Sequence, residues 1–383
     1  MRIDQLRLAG FRSYDALDVQ FPAGPQVVVG DNATGKTNLL ESLIVLSTAR
    51  SHRAVVDGEL IKWGSDFARL EAVATDGPGG PQTLEVVIAR TAAGGGRKRM
   101  TVNGVARRPS ALASALPVIL FAPEDMLLIS GAPALRRTAL DTLVAQTVPG
   151  AGAAMANYGR ALTQRNNLLR AIRDGSAAPA ELRFWDTVVV DDGAHIVDWR
   201  RDLLAQLARP LAAAHAEIAP GEEQLLLIYV TNAEPAAGEG TRDALRRRLA
   251  ETGEKEQWNG ATLIGPHRDD LGFEAGGHDL ASFASRGQQR TAILAFKLAA
   301  LEVLRASVGQ PPLLLLDDVF SELDPQRRAH LVRRIGELPQ AFVTTTTTDD
   351  LDRALVDAAT VWRVSPGRLE RLGAASTAES PSR

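Results

Sequence analysis

Cysteine is absent from the 383-residue chain, which excludes a disulfide framework, a cysteine-ligated zinc site and a thiol nucleophile. Aromatic residues make up only 5% of it, too few for base stacking to dominate recognition of a nucleic acid. No apolar run approaches the ~18 residues that read as a membrane span; stretches such as Ala115–Ala122 are too short. The opening MRIDQLRLAGFRS holds no apolar h-region, so no secretory signal is predicted, and a cytoplasmic location without membrane partners is expected. Charge of neither sign is in excess, since 43 Lys plus Arg face 46 Asp plus Glu, a net −3. That excludes a uniformly basic nucleic-acid binder but leaves room for a local basic face. Lysine itself is scarce. Only Lys36, Lys62, Lys98, Lys255 and Lys297 occur, so a lysine inside a motif carries weight.

The apolar pattern organises the chain. Ile3, Leu6 and Leu8, then Leu17, Val19 and Phe21, interleave with polar residues as half-buried strands do. Residues 25–29 read as a buried strand running into Gly30, and Leu39, Leu40, Leu43, Ile44 and Leu46 follow at helical spacing. Residues 67–105 alternate as antiparallel strands, with breakers at 76–81 and 94–96, and 117–121 reads as another short strand. Long helices are predicted over 134–147, 153–173 and 180–216, with Pro210 a candidate break. A strand at 224–230 and a helix at 242–252 follow. The last third returns to α/β alternation, with a helix after Gly287, strands at 313–316 and 341–345, and a helix from Pro325. The predicted architecture is an α/β lobe from both chain ends, 1–125 and 260–373, around a mainly helical insertion, 126–259. The small polar residues 374–383 are expected to form a disordered tail.

Three segments carry chemistry. Gly30-Asp31-Asn32-Ala33-Thr34-Gly35-Lys36-Thr37 fits G-x-x-x-x-G-K-[ST] between a strand and a helix, the context that motif requires. Loop N–H groups would wrap phosphates, Lys36 would reach the β/γ-phosphates of ATP, and the Thr37 hydroxyl would ligate Mg²⁺. The four leucines 313–316 end in Asp317 and Asp318. Asp317 at a sheet's C-terminal edge suits the second Mg²⁺ ligand, and Asp318 suits orienting or deprotonating a water. Between Thr37 and Asp317 lie far more residues than a compact small GTPase holds, and no N-K-x-D guanine-reading motif is present. Ser285-Arg286-Gly287-Gln288-Gln289 opens the helix that precedes the acidic pair, and its hydroxyl and free N–H groups suit either an anion or an ordinary N-cap.

Together these segments resemble the ABC ATPase superfamily in its SMC-like DNA-repair branch, and within it the RecF family. The residues that carry the likeness are Gly10–Tyr14, Gly35–Glu41, Ser51–Arg53, Phe121–Asp125, Gln164–Asn166, Gly265–Asp270, Ser285–Arg290 and Asp317–Asp324, spread over residues 1–372. The resemblance implies an ABC-type P-loop head with a mainly helical inserted lobe. It makes Ser285–Gln289 a signature motif that caps the γ-phosphate held by a second subunit, and Asp324 part of the D-loop. It implies an ATP-dependent homodimer on gapped duplex or single-strand/duplex junctions, acting with RecR and RecO to load RecA, in replication restart and the SOS response. A weak, DNA-stimulated ATPase is expected, with slow hydrolysis because Asp318 stands one methylene short of the glutamate that transport ATPases place there. That difference and the run Thr344–Thr348 in place of their switch histidine weaken a transporter reading. The alternative of an ABC-type subunit coupled to a transporter or another protein machine stays open at this point.

Two acid-free stretches suit phosphate contact, 90–108 with Arg90, Arg97, Lys98, Arg99, Arg107 and Arg108, and 155–173 with Arg160, Arg165, Arg170 and Arg173. His195, His215 and His278 have no metal-like spacing.

Overall fold

Ile3 and Leu6 are both fully buried, although strict alternation turns residues three apart to opposite faces of a strand. The strand Arg2–Phe11 resolves this with a register shift between Ile3 and Gln5 against its neighbour Phe67–Thr75, the local geometry of a bulge. The computed structural model describes residues 1–75, 80–91 and 95–373. Most of the breaker at 76–81, Gly94 of the second breaker and the 374–383 tail lie outside these residues. Two compact units form, Met1–Asp125 with Lys297–Arg383, and Met126–Phe296.

The first unit holds two six-stranded sheets. One is antiparallel, in the order Tyr14–Gln20, Arg2–Phe11, Phe67–Thr75, Gln82–Arg90, Gly96–Val102, Val105–Ala106. The other runs Arg368–Arg371, Thr360–Ser365, Gly24–Val29, Gln340–Thr345, Leu313–Asp317, Val118–Phe121, parallel except for its first pair. Leu313–Leu316 are buried throughout, as a parallel strand covered on both faces requires. The helix Lys36–Thr48 joins the two sheets, because its Leu39, Leu40 and Leu43 share one core with Leu6, Leu70 and Val86 of the first and Leu313, Leu315 and Phe342 of the second. Thr360–Ser365 was not foreseen as a strand. It pairs with Gly24–Val29, and the Trp362 indole N–H donates to Gln26 Oε1 at 2.9 Å.

The second unit consists mainly of the helices Pro133–Thr147, Ala151–Arg173, Leu182–Ile218 and Thr241–Asn259, beside a three-stranded antiparallel sheet. Two expectations change here. The helix Leu182–Ile218 runs on through Pro210. Its buried side, with Leu203, Leu204, Leu207, Leu211, His215 and Ile218, continues past the proline, so packing of that face outweighs one lost backbone bond. The chain also returns to the first unit at Lys297, inside the helix Arg286–Val308, rather than at 260. The reason is pairing, since Asp270–Ala275 lies antiparallel to Leu225–Val230 residue for residue, which ties 270–275 to the middle of the chain. Among the described residues no helix is long and apolar enough to cross a membrane.

Candidate nucleotide site

The strand Gln340–Thr345 lies between Gly24–Val29 and Leu313–Asp317, parallel to both. The loop after Val29 and the acids that end at Asp318 therefore emerge at one edge of the sheet, the C-terminal edge where α/β folds bind ligands. Gly30 N–H donates to the Thr345 carbonyl at 3.3 Å. Gly35, at φ 112°, enters the helix with no side-chain cap and no acid in the first turn, leaving orphan N–H groups and a positive dipole end. A Cβ on Gly35 would lie 2.8 Å from Ser13 Oγ, so only glycine fits that turn.

The loop satisfies its own lysine. Lys36 Nζ donates to the carbonyls of Gly30 at 2.5 Å and Asp31 at 2.9 Å. Burial pushes this ammonium below the ordinary lysine value, while the carboxylates of Asp318, Asp317 and Asp31 pull it back. Both acids at the end of the leucine strand therefore act on the lysine of the glycine loop. Asp31, Asn32 and Ala33 are exposed, and Thr34 Oγ1 donates to the Asp31 carbonyl at 2.8 Å.

Asp317 is buried, and its Oδ1 accepts from the hydroxyl of Thr344 at 2.6 Å. The same hydroxyl oxygen accepts from the Asp318 N–H at 3.0 Å. Asp318 takes a left-handed backbone, φ 51°, a conformation aspartate adopts more readily than bulkier residues. Thr37 and Asp317 offer hard oxygen donors of the kind Mg²⁺ takes, with no soft ligand among them. Asp324 is a helix cap: its carboxylate accepts from the Arg327 N–H at 3.0 Å and pairs with that guanidinium.

The loop is braced by residues with no role foreseen in the sequence. Tyr14 O–H, fully buried, donates to the Gly35 carbonyl at 3.0 Å, and Asn38 Nδ2 donates to Ser13 Oγ at 3.0 Å. Arg12 grips buried Glu41 with two bonds of 2.8 and 2.7 Å, and Ser51 O–H adds a third at 2.5 Å. A signal was available, because Tyr14 is one of only three tyrosines and stands in the Gly10–Tyr14 block.

In the second unit, Ser285 and Gln288 cap their helix reciprocally. Ser285 N–H donates to Gln288 Oε1 at 3.0 Å, and Gln288 N–H donates to Ser285 Oγ at 3.3 Å, the two bonds of a capping box. Gln289 Nε2 donates to the Leu280 carbonyl at 3.1 Å, while Ser285, Arg286 and Gln288 are exposed and Gly287 is half-buried.

The two arginine stretches separate. In the strand Gly96–Val102, Arg97 and Arg99 are exposed, whereas Lys98 turns inward to the Ala49 carbonyl at 2.5 Å and Asp57 at 2.8 Å. Arg107 and Arg108 are exposed as well. Arg165 is not available to phosphate, because it is buried and paired with Asp186 and Glu256, each at 2.7 Å.

The family model for the RecF/RecN/SMC N-terminal domain matches residues 2–367. The chain is 37% identical to a DNA replication and repair protein RecF of Halalkalibacterium halodurans, over 97% of this chain and all of that protein. A solved structure of the recombination mediator RecF with ATP, from the RecFOR pathway, superposes with a TM-score of 0.88 at 28% identity, covering 97% of each chain. An SMC head bound to the winged-helix domain of ScpA superposes at 0.54 and 17% identity, over 97% of this chain and 98% of that one, a likeness of fold alone.

Proposed function

Because the chain belongs to the RecF/RecN/SMC N-terminal domain family, in its RecF branch, we propose that it is an ATP-gated DNA-binding protein of replication and recombinational repair. One observation carries the nucleotide half of this reading: Lys36 sits at an uncapped helix start with Asp317 and Asp318 acting on its charge. The orphan N–H groups of Gly35–Lys36 and the exposed loop 31–33 bind phosphates, and Lys36 leaves the Gly30 and Asp31 carbonyls to reach the β/γ-phosphates of ATP. Thr37 and Asp317 hold Mg²⁺, which when bound neutralises charge across the phosphates. Asp318 orients and deprotonates the attacking water, slowly, since its carboxylate is one methylene shorter than the usual glutamate. Similarity to an ATP-bound RecF supports the choice of nucleotide.

Ser285–Gln289 of one subunit caps the γ-phosphate held by another, with Asp324 beside it, so ATP closes a homodimer and hydrolysis reopens it. Exposed Arg97, Arg99, Arg107 and Arg108 contact DNA phosphates, giving salt-sensitive and largely sequence-independent binding. In this reading the substrate is gapped duplex or a single-strand/duplex junction, and the downstream step is RecA loading with RecO and RecR, in replication restart and SOS induction. Light scattering with ATP–Mg²⁺ tests the dimer. Wild type should double in mass on ATP addition, and Ser285→Arg should stay monomeric while still binding ATP. Full dimerisation of Ser285→Arg contradicts the signature role.

A further inference from the structure

Thr344 is fully buried at the centre of the parallel sheet's C-terminal edge, and its one hydroxyl makes two close bonds, beside a longer 3.5 Å approach to the Leu316 carbonyl. The proton goes to Asp317 Oδ1 at 2.6 Å, and a lone pair accepts from the Asp318 N–H at 3.0 Å. The next residue, Thr345, accepts from Gly30 N–H, the first residue of the glycine loop. One strand end therefore holds the acidic pair through a side chain and the phosphate loop through a carbonyl.

We infer that Thr344 is a positioning residue that fixes both carboxylates of the acidic pair for their separate tasks. Its donated proton occupies one oxygen of Asp317 and restrains the carboxylate's rotation, so that the other oxygen would be the one available to a bound Mg²⁺. Its accepted bond pins the left-handed turn at Asp318, a conformation that costs energy for any residue with a Cβ and persists only where neighbours over-determine it. Valine in this place would keep the shape and lose both bonds, whereas serine keeps the hydroxyl and loses only a methyl. Partners of this kind, one bond removed from an ion's ligand, set ligand orientation.

This inference rests on the ATP reading, and the test separates the two. Wild type, Thr344→Val, Thr344→Ser and Asp318→Asn are compared by equilibrium binding of a fluorescent ATP analogue in EDTA, by Mg²⁺ titration of that binding, and by steady-state hydrolysis. Thr344→Val should bind the analogue in EDTA within about twofold of wild type, need about 10-fold more Mg²⁺, and lose roughly 10- to 100-fold in kcat with little change in KM. Thr344→Ser should recover most of both losses. Should Thr344→Val melt below the assay temperature, Thr344→Ala makes the same deletion without crowding the turn. Wild-type Mg²⁺ dependence and kcat in the valine and alanine variants overturn the role, as does a serine variant as impaired as valine, which would assign the effect to packing. Failure of wild type itself to bind the analogue overturns the ATP reading, and this role with it.

Discussion

Lys36 and Gly30 of the glycine loop are bonded to each other, ammonium to carbonyl at 2.5 Å, with Asp31 sharing the charge. In the proposed ATP site these carbonyls would be exchanged for phosphate oxygens, a trade of dipoles for full negative charge that favours the nucleotide. Burial alone already disfavours the ammonium. Lys36→Met should therefore leave the melting temperature of the nucleotide-free protein unchanged or higher, yet lower ATP turnover by at least about 100-fold. Calorimetry and a phosphate-release assay check both halves. Turnover at the wild-type rate would remove the loop from the site.

The arginine of the Gln164–Asn166 block has a structural task. Arg165 is 2% exposed, and it faces fully buried Glu256 as well as Asp186 and the Thr262 hydroxyl. Arg165→Ala strands the Glu256 carboxylate in the interior and should cost about 3–5 kcal/mol in a urea unfolding series. DNA affinity of the fraction still folded should be unchanged. A neutral effect on stability would contradict this structural role.

His267 gives the second unit a pH dependence of known sign. Its Nε2 faces the Thr262 carbonyl at 3.2 Å, so that nitrogen carries the proton and Nδ1 accepts from Tyr158 O–H at 2.6 Å. Burial pushes the imidazole pKa down to about 4, from 6.5, with Arg268, Arg137 and Arg165 adding to the shift against the Thr262 bond. The unfolded chain then binds a proton that the native one refuses. Stability from this group is present above pH 6.5 and is lost as pH falls from 6.5 towards 4. His267→Gln should be less stable at pH 7.5 but flatter between these limits, as denaturant midpoints at several pH values would reveal. An equally steep wild-type and variant profile would contradict it.

The basic strand divides its labour. Arg97→Ala with Arg99→Ala should weaken DNA binding and reduce the slope of log affinity against log salt by about 2. Lys98→Ala should leave that slope alone and lower stability instead, because Lys98 holds Asp57 and the Ala49 carbonyl. Filter binding over a salt series distinguishes the three positions.

Local signals made the nucleotide loop, the leucine strand and the long helices legible in the sequence, because each declares itself within a few residues. Gly30–Thr37 is contiguous, and the short apolar run Leu313–Leu316, ending in two acids, reads as a strand buried on both faces. Long-range pairing was not legible. Asp270–Ala275 does alternate, with Leu271 and Phe273 buried, but it is short and carries a central glycine, and what fixes it as a strand is its pairing with Leu225–Val230, 40 to 50 positions earlier. Thr360–Ser365 is likewise made by its partner Gly24–Val29. Arg165 looked like a phosphate contact because the acids that neutralise it, Asp186 and Glu256, stand 21 and 91 positions away along the chain. Thr344 lay inside a run of threonines, where nothing in the sequence distinguishes the hydroxyl that reaches Asp317 from its neighbours.

Fluorescence anisotropy of a labelled gapped duplex, titrated with protein in ATP–Mg²⁺, in ADP–Mg²⁺ and without nucleotide, tests the central claim that ATP gates DNA binding. The account predicts binding at least about 10-fold tighter with ATP than with ADP or none. Equal affinity in all three conditions would contradict it.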